Sequence, residues 1–413
     1  MEEVITQVQS AEDIAEVEAI LPSRLRGLFS RTDIAFLVGL RRDLHRHPEL
    51  SWAETRTAAR LEQALHHVGI KEIRRVAGTG IIARVPGLER DAPVVAIRGD
   101  IDALPIRENT GLAYASATDG VMHACGHDVH ATWAVGAALL LQKNPGRGDV
   151  LIVLQPAEEL GEGAQAIIGA GVLDGVSAIF GAHVDRRFAL GEVVAQSGPL
   201  AASTDSFDVE LTGASAHGAR PHEGADAIVG ASAVVMALQT VVSRRLDPAL
   251  PGVVTVGRLH GGTADNVIPD TAVLSGTLRA TDSASRALLL SELTRIAEST
   301  AQAYGLTARI TFRQGTPPLV NPAVAADWAR VAVETALGRE ALVPLGLTNM
   351  GGEDFAFYLE RFPGCFLRIG AREPGGERIP AHSPRFYPAE SSLFVGAAVL
   401  AEAARAAAST RPC

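Results

Sequence analysis

The run Val150-Leu-Ile-Val-Leu-Gln-Pro-Ala-Glu158-Glu159 decides how this chain is read. Its first five residues are all aliphatic and show no polar alternation. A strand that is apolar on both faces belongs inside a parallel sheet covered by helices. The run then turns at a proline and ends in two adjacent carboxylates. In sheets of this kind function gathers at the C-terminal ends of the strands.

Working outward, residues 132–142 have the length and spacing of a helix, and 80–85, 94–97 and 178–182 are further short apolar strands. Asp100-Ile-Asp102 and His183 each follow one of these strands directly, as Glu158-Glu159 does. Helices over 33–47 and 54–67 lead into the pattern, the first stopped by Pro48. Residues 201–313 change rhythm: strands at 206–211, 252–259, 272–280 and 308–312 interleave with helices at 225–244 and 283–304. The order βαββαβ describes a ferredoxin-like sandwich. A helix at 322–338, a strand at 365–369 and an Ala-rich helix at 389–407 then complete the first sheet.

Three parts are therefore expected. Residues 1–30 form an acidic helical extension. Residues 31–200 and 314–413 form a metal-binding α/β domain with a mixed, mostly parallel sheet flanked by helices. Residues 201–313 form an inserted ferredoxin-like α+β domain. A chain of 413 residues is long enough for two cores.

Hydrophobic residues at 47% and charged residues at 20% are those of a soluble globular protein. A net charge of −10 excludes a general nucleic-acid binder. No basic, apolar leader opens the chain, and no run approaches the ~20 apolar residues of a membrane span. Cys125, Cys365 and Cys413 are too few and odd in number for a disulfide framework, so a cytoplasmic location is expected.

The segment His123-Ala-Cys-Gly-His127-Asp-Val-His130 concentrates the chemistry. A thiol and an imidazole two residues apart on a glycine turn can converge on one metal ion or an ion pair. Asp128 is placed to orient a ligand imidazole, and His123 and His130 are read as capping or packing residues. Two carboxylates at the end of a buried strand need a cation beside them. One of Glu158 and Glu159 can ligate while the other serves as base. With Asp102, His183 and His382 these residues make the candidate set. No Gly-x-Ser-x-Gly elbow, phosphate loop or dinucleotide fingerprint occurs in a suitable setting. In the inserted region His217, Asn266 and Arg279 can hold a carbonyl oxygen and a carboxylate.

Taken with Arg41-Arg-Asp-Leu-His-Arg-His-Pro-Glu49, Gly99-Asp-Ile-Asp-Ala-Leu-Pro105, Asn266-Val-Ile-Pro-Asp270 and Gly352-Glu-Asp-Phe-Ala-Phe-Tyr358, the chain resembles the M20 metallopeptidase family. Within it the chain looks like the amidohydrolase branch that acts on N-acyl and indole-acetyl amino acids. The resemblance covers about residues 33–408. It implies that Cys125, His127, Glu159, His183 and His382 bind two divalent metals, manganese or zinc with cobalt possible. It implies Glu158 as general base and Asp102 as an orienting residue. It implies a lid that forms a homodimer, with His217 stabilising the oxyanion in the partner's site. Asn266 and Arg279 match positions that contact the carboxylate of a small-molecule substrate.

Two features depart from that pattern: the N-terminal extension is longer than usual, and one stretch near the expected site differs. Asp185-Arg186-Arg187-Phe188-Ala189 stands where relatives carry a more apolar, proline-containing segment. Two arginines close to the site either favour an anionic substrate, with Arg186 as the expected contact, or are surface residues. The same departure keeps open an aminohydrolase of nitroanthranilate type, which displaces ammonia from an aromatic amine. A non-catalytic metal- or peptide-binding relative is the third reading, disfavoured because Glu158 and every expected ligand are present.

Overall fold

A computed structural model describes residues 11–409. Residues 1–10 of the expected extension, and Cys413, lie outside the described residues. The chain divides into two compact units. The first runs to Gly198 and resumes at Asn321–Gly346 and from Phe357; the second is Pro199–Val320 with Leu347–Ala356. Residues 314–320 and 347–356, expected in the first domain, thus belong to the second unit.

The first unit is built on a seven-stranded sheet. Its order is Glu72–Val76, Gly80–Val85, Val150–Gln155, Val94–Asp100, Val176–Ala189, Gly364–Arg372 and Val193–Val194. The four strands from Val150–Gln155 to Gly364–Arg372 are mutually parallel, and the outer strands are antiparallel. The architecture is the mixed α/β one that the run at Val150 predicts. Every residue of Val150–Gln155 is buried, which is why it reads as continuous apolar sequence.

Helix His127–Lys143 is buried from His127 to Leu141 and packs with the similarly buried Ser392–Ser409. Helix Arg31–Arg46 begins in a capping box: the Ser30 hydroxyl accepts from Asp33 N–H while the Asp33 carboxylate accepts from Ser30 N–H. The part of the extension that is described, Ala11–Ile20 and the turn after it, is not a separate appendage. Val17, Leu21, Leu25 and Phe29 are buried in the same core, with Phe29 edge-on to Phe394 at 5.0 Å.

Two strands run longer than expected. Val94–Asp100 reaches Asp100 itself. Val176–Ala189 continues for seven residues past Ala182, so Asp185–Ala189 is sheet, partly paired with Gly364–Arg372. The register sets Arg98 beside Gly181, which places His183 at the level where the neighbouring strand ends. His183 thus reaches the C-terminal rim from within a strand.

The second unit is a four-stranded antiparallel sheet in the order Gly252–Gly261, Thr271–Ala280, Asp205–Thr212, Thr307–Arg313. Helices Ala227–Thr240 and Ser283–Ala303 share its core, which holds Phe207, Val209, Leu211, Val234, Leu238, Leu274 and Leu293. Asp226 and Asp282 cap the two helices. Strand Asp205–Thr212 alternates buried and more exposed residues, as a sheet with one covered face requires.

Against the expectation of none, two helical stretches among the described residues have the length and apolarity of a membrane span. Ser392–Ser409 is apolar because it is 78% buried in its unit. Ala227–Arg245 is only 33% buried, and Ile228, Val229 and Met236 are exposed on it.

Candidate metal centre

The site begins at Gly126. This residue holds φ +93°, and a Cβ there would lie 2.5 Å from Val184 Cγ2, so only glycine makes the turn. Helix His127–Lys143 starts directly after it, five residues earlier than residue 132, where its periodicity becomes readable. The turn holds Cys125 and His127 buried side by side.

His127 is fixed from behind. Its Nδ1 donates to the carbonyl of Asp102 at 2.9 Å and to Asp102 Oδ1 at 3.1 Å, which leaves Nε2 as the nitrogen that could ligate a metal. Asp102 Oδ2 accepts from Ser51 Oγ at 2.7 Å and from Glu159 N–H at 3.0 Å, so one carboxylate ties three segments together. His183 donates from Nδ1 to Val184 O at 2.6 Å, and its Nε2 lies 3.2 Å from Cys125 Sγ. His382, at φ +67°, is held through its backbone N–H on Ala124 O at 2.8 Å, with Nε2 3.5 Å from Glu159 Oε2.

Among the sets of ligand atoms within 4.8 Å of one another are Cys125, His127 and His183, and Cys125, Glu159 and His382. Cys125 is common to both. A third set joins His127 to Glu158 and Glu159. The structure thus brings together all five expected ligands, with Glu158 and Asp102. Glu158 and Glu159 sit in a turn, not in the first turn of a helix. That turn depends on Ala157, whose φ is +51° and whose N–H donates to Glu54 Oε1 at 3.0 Å.

The donor set fits a divalent cation. His127 Nε2 and Glu159 Oε1 are buried without a hydrogen bond, which is costly unless something else pairs with them. His127 Nε2 is 3.8 Å from a carboxylate oxygen of each of Asp100, Glu158 and Glu159, too long to bond and suited to ligands around an ion. Burial pushes Glu159 up to about 7, with His127 opposing and Asp102 adding to it. Burial and Glu159 push the Cys125 thiol up, and burial holds His183 and His382 down. His127 is raised despite its burial, because Asp100 and the bond to Asp102 call for positive charge at this ring. A divalent cation held by these residues would supply that charge and favour the thiolate and carboxylate forms.

The neighbouring residues are structural. His130 is bonded at both nitrogens, to Asp100 Oδ1 at 2.7 Å and from Val184 N–H at 3.0 Å. His123 is a buried ring held down to about 4 by desolvation. Asp128 does not orient a ligand imidazole as expected. Its Oδ2 lies 2.8 Å from Arg41 Nε and accepts from His45 Nδ1 at 2.9 Å, anchoring the helix start to Arg31–Arg46. Arg41, His45, Ser51 and Glu54 are supports that reading for ligands alone overlooks. Their signal is the polar residues set in and after an otherwise amphipathic helix.

Arg186 is not a substrate contact. Its side chain is 1% exposed and donates to the Ala371, Glu377 and Tyr387 carbonyls and to Glu373. Arg187 pairs with Asp185 on the same strand.

In the second unit the short strands Ala216–His217 and Val267–Ile268 pair, bringing His217 opposite Val267 and so beside Asn266. Both residues are exposed. His217 Nδ1 accepts from Ala219 N–H at 3.0 Å, so the ring proton lies on Nε2 as a donor. Arg279 sits at the far end of Thr271–Ala280, half-buried, with its guanidinium on Leu278 O.

Residues 96–406 match the model of peptidase family M20/M25/M40. The chain belongs to this family. It is 41% identical over 371 residues to an N-acetyl-L-cysteine deacetylase of Bacillus subtilis, covering 89% of this chain and 87% of the relative. It is 37% identical to the IAA-amino acid hydrolase ILR1-like 4 of Arabidopsis thaliana, over 93% and 88% of the two chains. The crystal structure of the Bacillus subtilis YXEP protein, a dinuclear metal binding peptidase from the M20 family, superposes with a TM-score of 0.78 at 37% identity, over 89% and 96%. This M20 chain is accordingly an enzyme, an amidohydrolase of the family.

Proposed function

We propose that this M20 enzyme hydrolyses the amide bond of N-acyl or N-aroyl amino acids. The observation that carries the reading is the convergence of Cys125, His127, Glu159, His183 and His382 beside Glu158, with unbonded ligand atoms at its centre. The relatives named for deacetylation and for hydrolysis of amino-acid conjugates support it.

Those five side chains would hold two divalent metal ions. A thiolate with imidazoles suits zinc, and the carboxylate also admits manganese or cobalt. When bound, such ions lower the pKa of water and polarise the scissile carbonyl. Glu158 takes the proton of the attacking water and passes it to the leaving amine. Asp102 keeps the His127 ring in one tautomer and orientation. His217 Nε2–H donates where negative charge develops on the carbonyl oxygen. Asn266 and Arg279 bind the substrate carboxylate.

His217 serves a second copy's site, in a homodimer formed through the second unit. The exposed Ile228, Val229 and Met236 on its apolar helix support that association. The nitroanthranilate-type alternative rested on Arg186 and Arg187, whose guanidinium groups are both committed elsewhere. No feature of the site favours it.

The test is a panel of N-acetyl, N-benzoyl and indole-acetyl amino acids, assayed after reconstitution with Zn²⁺, Mn²⁺ and Co²⁺ separately. Cleavage that depends on an added ion supports the reading. Activity surviving complete metal removal sinks it.

A further inference from the structure

Residues 373–391 form a loop without helix or strand that carries His382. A free loop of this length is a poor place for a metal ligand, because ordering it costs conformational entropy at every residue. Four prolines stiffen it, and Ile379 and Phe386 are buried anchors. His382 itself is 54% exposed in its side chain, so packing alone does not fix it.

Besides the His382 N–H bond to Ala124 O, the Asn109 N–H bond to Pro384 O and the Arg42 pair with Glu390, the loop is gathered by one buried side chain that reaches both of its halves, Arg186. Arg186 Nε and Nη2 donate to Glu377 O at 3.2 and 2.8 Å. Nη1 donates to Tyr387 O at 2.8 Å and, more weakly, to Ala371 O at 3.4 Å. The two terminal nitrogens grip Glu373 at 2.7 and 3.1 Å. The guanidinium also stacks over the Tyr387 ring at 4.4 Å, and Tyr387 Oη donates back to Glu373 at 2.7 Å. These contacts fall on both sides of His382, at residues 373 and 377 before it and 387 after it. Arg186 stands three residues after His183 on the same strand. A planar group with five fixed donors makes such a pattern; a lysine does not.

We propose that Arg186 is a positioning residue for the metal centre, clamping the loop 373–391 to the strand that bears His183 so that His382 is held at ligating position. This rests on His382 being a metal ligand. It assigns Arg186 a role inside the protein instead of at the substrate.

The experiment uses the full chain with R186M, R186K, H382A and R186M/H382A, stripped of metal and titrated with Zn²⁺ against a competing chelator. Hydrogen exchange of 373–391 is followed in parallel, with strand Val150–Gln155 as the folding control. R186M should weaken one of the two zinc sites by about 10–100-fold. It should speed exchange in 373–391 while leaving 150–155 protected. R186K should fall between R186M and the parent chain. The double variant should bind zinc no more weakly than H382A alone. Unchanged zinc affinity and exchange in R186M overturns the proposal, and so does additive weakening in the double variant. If H382A itself keeps both zinc ions, the ligand reading of His382 is what fails; exchange of 373–391 in R186M then decides the clamp separately.

Discussion

His127 and His217 are both imidazoles that the proposed chemistry needs, and the two units hold them in opposite ways. His127 is buried, opens a buried helix, and has its tautomer set by Asp102, which is itself bonded to Ser51 and Glu159. His217 is exposed on a two-residue strand, with only a local backbone bond to define its ring. The first unit therefore assembles the metal centre from its own fold. The second presents exposed donors, and under the proposed function a second copy completes their geometry. Metal binding and turnover should consequently separate under mutation.

The largest effect is expected at the base. Glu158→Gln should lower kcat by about 10²–10⁴-fold, the usual worth of a general base. Ion content by mass spectrometry of the metal-loaded chain should be unchanged. Loss of metal together with activity would make Glu158 a ligand and reverse its role with Glu159.

Next comes the support under the metal centre. Arg41 and Asp128 are both 0% exposed, and Asp128 is held far below the usual carboxylate range by Arg41 and His45 despite its burial. Arg41→Leu leaves the buried Asp128 carboxylate with His45 as its remaining charged partner, at a cost of about 3–5 kcal/mol. Denaturant unfolding measures it; a loss under about 1 kcal/mol would show the pair to be dispensable.

His217→Ala should reduce kcat by about 10²–10³-fold, the worth of one oxyanion donor, with zinc affinity unaltered. Mixing it with Glu158→Gln sharpens the contrast. If His217 serves the second copy's site, two poorly active variants restore activity on exchanging subunits. Mixtures no better than the sum of their parts would place His217 in its own chain's site.

The same contrast explains what the sequence discloses. Buried strands such as Val150–Gln155 declare themselves, because burial on both faces forces an unbroken apolar run. Of the expected ligands, Glu159 and His183 stand out as polar residues at or after such runs, whereas Cys125 and His127 show through their spacing on a glycine turn and His382 lies on a loop. The extent of Val176–Ala189 is hidden because its second half carries charges, of which Asp185 and Arg187 pair with each other and Arg186 pairs with partners remote in sequence. Arg186 illustrates this: its partners Glu373, Glu377 and Tyr387 lie nearly 200 positions away, so a structural arginine reads as a substrate contact. Asp128 misled for the same reason, Arg41 and His45 being reachable only through the fold.

The smallest effect concerns a charge cluster of the second unit. Glu292 lies between Arg295 and Arg245, whose hydrogen bonds hold it down to about 2 against an ordinary 4.5. A carboxyl whose folded pKa is depressed contributes stability in full above its unfolded pKa and loses it as pH falls toward the folded value. The window is therefore about 4.5 down to 2. Both arginines are half-exposed, so the contribution is screened and small. Thermal unfolding of the parent chain and of E292Q should show a modest gap in Tm at pH 7. That gap should persist to about pH 5 and close progressively below 4.5. Acid loss of the metal centre affects both chains alike and cancels in the difference. A gap that stays constant down to pH 3 would mean that Glu292 stabilises its helix by packing and that its ion pairs contribute nothing measurable.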